Sequence, residues 1–196
     1  EVDADTIAQA EKLLAALPVH EVSELGALPQ HSRMPLARNP LFVGREADLR
    51  EIAGALKASG TAAIGQIAAA TGLGGIGKTQ SAAEFVHRYG RYFAGGVFWL
   101  SFADAAAVPA EVANCGGRAV LALHDDFDKL SLADQVKLVL SAWQRPLPCL
   151  LVFDNCEDEE LLARWRPPTG GARVLVTSRR GAWSKSLDVY TLSLGV

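Results

Sequence analysis

Cysteine is scarce in this chain of 196 residues: Cys115, Cys149 and Cys156 are an odd set and form no CxxC pair. That argues against a disulfide framework or a thiolate metal site. Cys149 and Cys156 lie in or beside an apolar run, as buried free thiols do in a reducing compartment. Histidine is thin as well, with four residues, none two of which have metal-ligand spacing. Positive charge is not in excess: 19 Lys and Arg face 22 Asp and Glu, and the net charge of -3 argues against a general nucleic-acid binder. No apolar run approaches the roughly 18 residues that cross a bilayer, and no signal peptide is visible, so a cytoplasmic protein without membrane contact is expected. Internal repeats, low-complexity tracts and a readable Ser/His/Asp or Cys/His arrangement are also lacking.

What is present is a composition of 49% hydrophobic and 21% charged residues, ordinary for a globular protein with a real core. The sequence begins at Glu1 and ends in "YTLSLGV" with no capping element, which reads as an excised piece of a longer protein.

The pattern along the chain divides near residue 39. Residues 5–17 read as a helix capped by Asp5 or Thr6, with Ile7, Ala10, Leu13, Leu14 and Leu17 as its apolar stripe. Pro18, Pro29, Pro35 and Pro40 then break a stretch without period, a linker or a segment draped over the surface. The expected division is an N-terminal helix and linker (1–38) and a nucleotide-binding domain (39–196). In the second part, helices are expected over 46–58, 77–89, 107–115, 131–144 and 158–165. Apolar runs at 62–70, 96–102, 149–154, 172–178 and 189–194 read as strands. Strands alternating with helices imply an α/β fold with a parallel sheet covered on both faces.

The most specific signal is "ATGLGGIGKTQSA", residues 70–82. Glycine this dense is costly to order. Gly72, Leu73, Gly74, Gly75, Ile76, Gly77, Lys78 and Thr79 match the phosphate-loop pattern G-x-x-x-x-G-K-S/T between an apolar strand and a helix. The glycines let main-chain N–H groups converge on an anion, and the helix points its positive end at the same place. Lys78 would reach the β and γ phosphates and the Thr79 hydroxyl would hold Mg²⁺.

Such a site needs a second oxygen ligand. Asp154 ends the buried run "LLVFD", where ligands gather in open α/β sheets; the alternative is an Asp that caps the next turn. Asn155 follows, and an amide cannot take a proton from water. Glu157 and Asp158 either serve instead as the base or are first-turn helix acids favoured by the dipole. Slow hydrolysis is expected. Thr177, Ser178 and Arg179 end another strand, with Arg179 placed to read a γ-phosphate and Arg180 solvated. Phe42 and Val43 are candidates to flank an adenine ring and Arg45 to reach the nucleotide, although a hydrophobic staple before a helix explains them equally well.

In this order and spacing, "NPLFVGRE", "GLGGIGKTQ", "LLVFDN" and "VLVTSRR" resemble the NB-ARC branch of the STAND signalling NTPases, over roughly residues 39–194. That class includes plant disease-resistance proteins, the animal apoptosome scaffold and bacterial proteins with tetratricopeptide repeats, whose wording "GLGGIGKTQ" is nearest. The resemblance implies a P-loop NTPase three-layer sandwich with a five-stranded parallel sheet of order 5-1-4-3-2. It implies an ATP/ADP switch with Mg²⁺, slow hydrolysis, and self-association of a full-length protein whose effector and sensor domains lie outside this sequence. Gly72, Gly74, Gly75, Ile76, Gly77, Lys78, Thr79 and Gln80 then contact phosphate, Asp154 is the Walker B acid, Arg179 the sensor arginine, and Val43 and Arg45 the adenine-side contacts. Two departures matter: Asn155 replaces the second acid of many members, and the helical and winged-helix subdomains that follow in the family are absent here. The alternatives are a ring ATPase of the AAA+ kind with steady turnover, against which "DN" speaks, and a P-loop kinase acting on a small molecule.

Overall fold

A computed structural model of the chain describes residues 2–58, 61–65 and 77–193, with the side chains of 62–65 and 193 excepted. Asp3, in extended backbone, opens the first helix, α1 (Ala4–Ala15), by accepting the Thr6 N–H at 2.8 Å. Thr6 is thus the donor three residues into the helix, and neither Thr6 nor Asp5 is the cap the sequence suggests. Ala10, Leu14 and Leu17 are buried, whereas Leu13 is 38% exposed, so the buried stripe is narrower than the sequence pattern.

Helix α2 (Glu46–Ala58) buries Leu49, Ile52, Ala53 and Leu56, the face read from its spacing. The chain then alternates: β1 (Thr61–Gly65), α3 (Lys78–Tyr89), β2 (Val97–Ser101), α4 (Val108–Ala113), α5 (Leu132–Trp143), β3 (Leu150–Asp154), α6 (Glu159–Trp165), β4 (Arg173–Thr177) and β5 (Tyr190–Ser193). Helix α5 starts where Ser131 accepts the Asp134 N–H at 3.2 Å, and α6 where Asp158 accepts the Glu160 N–H at 2.7 Å. The strands pair in the order β2-β3-β4-β1-β5, and each pairing is parallel.

Alternate residues of each strand enter opposite layers. Trp99, Leu150, Val152 and Leu175 pack with α1, α2 and α3 on one face. Phe98, Leu151, Phe153 and Val176 pack with α4, α5 and α6 on the other. Strands buried on both faces account for continuous apolar runs such as "LLVF". Burial of each such side chain contributes about 1.5–3 kcal/mol. Phe127, within the acidic "HDDFD" stretch, is only 4% exposed and joins the second layer.

The proline-broken segment runs along α3 and the edge of β2. The Arg33 N–H donates to the Val97 carbonyl at 2.7 Å, and the Trp99 N–H donates to the Arg33 carbonyl at 2.9 Å. This parallel bridge occupies backbone groups that an edge strand otherwise exposes. On α3, the buried Glu84 carboxylate accepts from Arg38 Nε at 3.0 Å and from Arg88 Nε at 2.7 Å. One partner comes from the segment and the other from the helix itself. His87 meets the Leu36 carbonyl through Nε2 at 3.0 Å, so this histidine helps fix the draped chain.

Candidate functional site

Parallel strands bring their carboxyl ends to one rim of the sheet, and there β3 and β4 meet the amino end of α3. Asp154, the last residue of β3, is 9% exposed. Its Oδ1 accepts two hydroxyl hydrogen bonds, from Thr79 at 2.9 Å and from Thr177 at 2.5 Å. Thr177 Oγ1 in turn accepts the Asn155 N–H at 2.9 Å, and the Thr177 carbonyl accepts the Cys156 N–H at 3.0 Å. On the other side, the Asp154 carbonyl accepts the Phe102 N–H at 2.7 Å. Asp154 is therefore held on two sides, its main chain against the end of β2 and its carboxylate by Thr177 of β4 and Thr79 of α3.

Asn155 has φ +61°, in the left-handed region. Asn enters that region more readily than most residues because its short amide bonds locally. The turn out of β3 thus supplies a conformational reason for an amide at this position. Gly77, which precedes α3, has φ +86°, and a Cβ there would meet nothing within 4 Å among the described residues. The backbone angle by itself calls for glycine. Lys78, Thr79 and Gln80 form the first helical turn, with Lys78 and Thr79 half-buried and Gln80 exposed. Gly72, Gly74, Gly75 and Ile76 lie outside the described residues.

Beyond β4, Arg179 pairs with Glu157, Nε to Oε1, at 3.3 Å. Both oxygens of that carboxylate also accept the Arg179 main-chain N–H at 3.0 Å, and Oε2 accepts the Ser178 hydroxyl at 3.1 Å. Glu157 precedes the Asp158 cap of α6, so it is not a first-turn helix acid. Arg180 is not simply solvated: it pairs with Glu159 at 2.8 Å and its guanidinium lies over the Trp183 ring at 5.4 Å. Thr177 as a carboxylate partner and Glu157 as an organiser of the next turn escape a motif reading. Their roles depend on the register between β3 and β4, in which Leu150 lies opposite Arg173 and Phe153 opposite Val176.

Val43 and Arg45 line a cavity of about 210 Å³ with Phe42, Val22, Leu49 and Arg88. Val43 is 82% exposed, and Arg45 forms an ion pair with Asp48 at 3.2 Å. A larger cavity of about 590 Å³ lies at the opposite rim, by the amino ends of the strands. Its cations are already engaged: Lys57 donates to the Leu17 carbonyl and Arg173 to the Leu56 carbonyl. Among the described residues, no three His, Cys, Asp or Glu side chains gather to hold a metal. Burial pushes the Cys156 thiol, two residues beyond Asp154, up to about 12, which excludes it as a nucleophile near neutral pH. No described helix is long and apolar enough to cross a membrane.

The chain is similar to regulatory proteins. It is 31% identical over 195 residues to the regulatory protein AfsR of Streptomyces coelicolor, a match that covers 93% of the chain and 19% of that protein. The regulatory protein AfsR of Streptomyces griseus is 30% identical over 184 residues, covering 90% of the chain and 19% of its own length. A nucleotide-binding leucine-rich repeat (NLR)-like protein of Hyaloscypha variabilis is 29% identical over 161 residues, with 78% of the chain and 16% of that protein covered. The chain thus spans less than a fifth of the length of the curated relatives it matches. No family model matches it.

Proposed function

We propose that the chain is the nucleotide-binding switch module of a signalling protein of the NB-ARC and STAND type. In this reading it is a P-loop sandwich of order 5-1-4-3-2 that binds ATP or ADP with Mg²⁺. It hydrolyses ATP slowly and controls the self-association of a larger protein. The observation that carries the reading is the hydrogen bond between Thr79 and Asp154. A phosphate-loop hydroxyl and a strand-end carboxylate are the pair that a magnesium nucleotide requires within one ion's reach. The parallel strand order, the left-handed Gly77 and the relative named for nucleotide binding support it further.

The donor set fits a hard divalent ion. A single carboxylate and a hydroxyl suit Mg²⁺, which keeps several waters and draws its remaining ligands from phosphate oxygens. Thr79 and Asp154 would hold the ion, which would supply charge neutralisation between the phosphates; the Thr79 oxygen would offer a lone pair while its O–H donates to Asp154. Lys78 and the N-terminal dipole of α3 hold the polyphosphate, and Arg179 reads its terminal group. Val43 and Arg45 border the base. Asn155 offers no carboxylate to take a proton from the attacking water, and Glu157 is committed to Ser178 and Arg179, so slow turnover follows. Domains outside this sequence, fused after residue 196 or before residue 1, carry the signal and the effector.

Steady-state ATP hydrolysis, measured beside gel-filtration size with and without a non-hydrolysable ATP analogue, tests this. Slow turnover and tight nucleotide binding are the expected result. Fast turnover by a constant ring assembly contradicts the switch, and phosphate appearing on an added small acceptor contradicts it in favour of a kinase.

A further inference from the structure

We propose that Glu157 is the positioning residue of Arg179, aiming the two terminal amino groups of its guanidinium at the terminal phosphate of a nucleoside triphosphate. This inference rests on the nucleotide reading above. The chain leaves β3 through Asn155 at φ +61°, and the Cys156 N–H bonds back to Thr177. That return lays Glu157 beside residues 178 and 179, next to the strand end that carries Asp154.

There the carboxylate is fully engaged by one turn. It takes the Arg179 N–H on both oxygens at 3.0 Å, the Ser178 hydroxyl at 3.1 Å and Arg179 Nε at 3.3 Å. Only Nε of the guanidinium is used, and its two terminal amino groups make no hydrogen bond among the described residues. The free fork is the edge that pairs bidentately with a phosphate. A side chain 78% exposed has many rotamers, and holding it at Nε and at its own main-chain N–H reduces the ordering cost on binding. Charge adds to this, because the carboxylate keeps a cation beside the rim where the Thr79 and Asp154 pair marks the phosphate end. Arg180, tied to Glu159 and stacked on Trp183, fixes the far side of the same turn.

An arrangement that orients Arg179 acts on the third phosphate and not on the first two. Calorimetric affinities for ADP and for a non-hydrolysable ATP analogue, with Mg²⁺, therefore separate it from a merely structural role. They are compared for the wild type, Glu157→Gln, Arg179→Ala and the double variant. Gln keeps an oxygen for the Arg179 N–H and removes the charge; melting temperatures check that the turn survives.

Glu157→Gln is expected to lower the triphosphate-to-diphosphate affinity ratio about two- to fivefold, the range for a solvent-exposed ion pair. ADP affinity should hold, and the change should vanish in the Arg179→Ala background. A ratio that stays or rises in Glu157→Gln overturns the proposal, since a rise means that the carboxylate withholds Arg179 from phosphate. An equal fall with and without Arg179 overturns it as well. If the wild type binds neither nucleotide, the nucleotide reading itself fails; if it binds both and the cycle shows no coupling, only the role of Glu157 fails.

Discussion

Thr79 and Asp154, 75 residues apart in sequence, share a hydrogen bond of 2.9 Å. One residue belongs to the first turn of α3 and the other closes β3, so the contact records where the sheet delivers its strand ends. Asp154 Oδ1 also takes the Thr177 hydroxyl, which makes the three side chains one polar cluster under the rim. Thr177 is 1% exposed, so its hydroxyl has no water to fall back on.

Thr177→Val keeps the shape of the side chain and removes that hydroxyl. The Asn155 N–H loses its acceptor and Asp154 loses a donor. A stability loss of about 1–3 kcal/mol is expected in urea titrations, the cost of leaving a buried polar group unsatisfied. Thr177→Ser should recover most of it; a Val variant as stable as the wild type contradicts the cluster.

Glu84 holds the draped N-terminal segment to α3. Its side chain is 1% exposed, against 29% for Arg38 and 22% for Arg88. Arg38→Ala leaves the carboxylate paired with Arg88, so global stability should fall little while cleavage by added protease within residues 18–38 quickens. Glu84→Ala removes the shared partner of two half-buried cations, with an expected loss of about 2–3 kcal/mol, below the full cost of a stranded buried charge because both arginines reach water. Equal effects of the two substitutions on urea midpoint and proteolysis would count against this division.

Much of this architecture was legible because the apolar periods are strong. The α2 face from Leu49 to Leu56 and the run Leu150 to Phe153 each allow one buried arrangement, and Ser131 announces the start of α5. Asp3 was missed as the cap of α1 because Asp5 and Thr6 offer equally good cap chemistry two and three residues later. Phe127 hides among charges, and one apolar residue in an acidic loop has no period to reveal that it is an anchor. At the candidate site, the glycine motif and the strand-end Asp154 stand out by residue type. The bonds of Thr177 to Asp154 and of Glu157 to Arg179 do not, since they join separate segments through strand register and a left-handed turn. Gly72, Gly74, Gly75 and Ile76 lie outside the described residues and remain part of the proposal.

The three thiols give a pH-dependent signature. Burial pushes Cys115, Cys149 and Cys156 each up to about 12 from an ordinary value of 9.0. A group raised on folding favours the folded state fully below its unfolded value, and that contribution is lost as pH climbs toward the folded one. Each thiol should therefore lower stability as pH climbs from 9 toward 12. At pH 8 the native chain should react with a thiol-specific dye only on the timescale of unfolding, and all three cysteines should react promptly in denaturant. Prompt labelling of the native protein contradicts their burial.

The pairing of Thr79 with Asp154 also makes metal dependence testable. Asp154→Asn keeps an oxygen for both threonine hydroxyls while removing the charge that favours a divalent ion. The expected result is a fold retained by circular dichroism and an ADP affinity that no longer improves when Mg²⁺ is added. A Mg²⁺ response equal to that of the wild type contradicts the assignment of Asp154.

The most direct measurement is calorimetric titration of Mg²⁺ and ADP into the wild type and Lys78→Ala. Lys78 sits half-buried on the first turn of α3, and no ion pair among the described residues depends on it. Its removal should leave the melting temperature in place and weaken ADP about tenfold or more, as expected for a charge-assisted contact to phosphate. A Lys78→Ala protein that binds ADP as tightly as the wild type contradicts the nucleotide site.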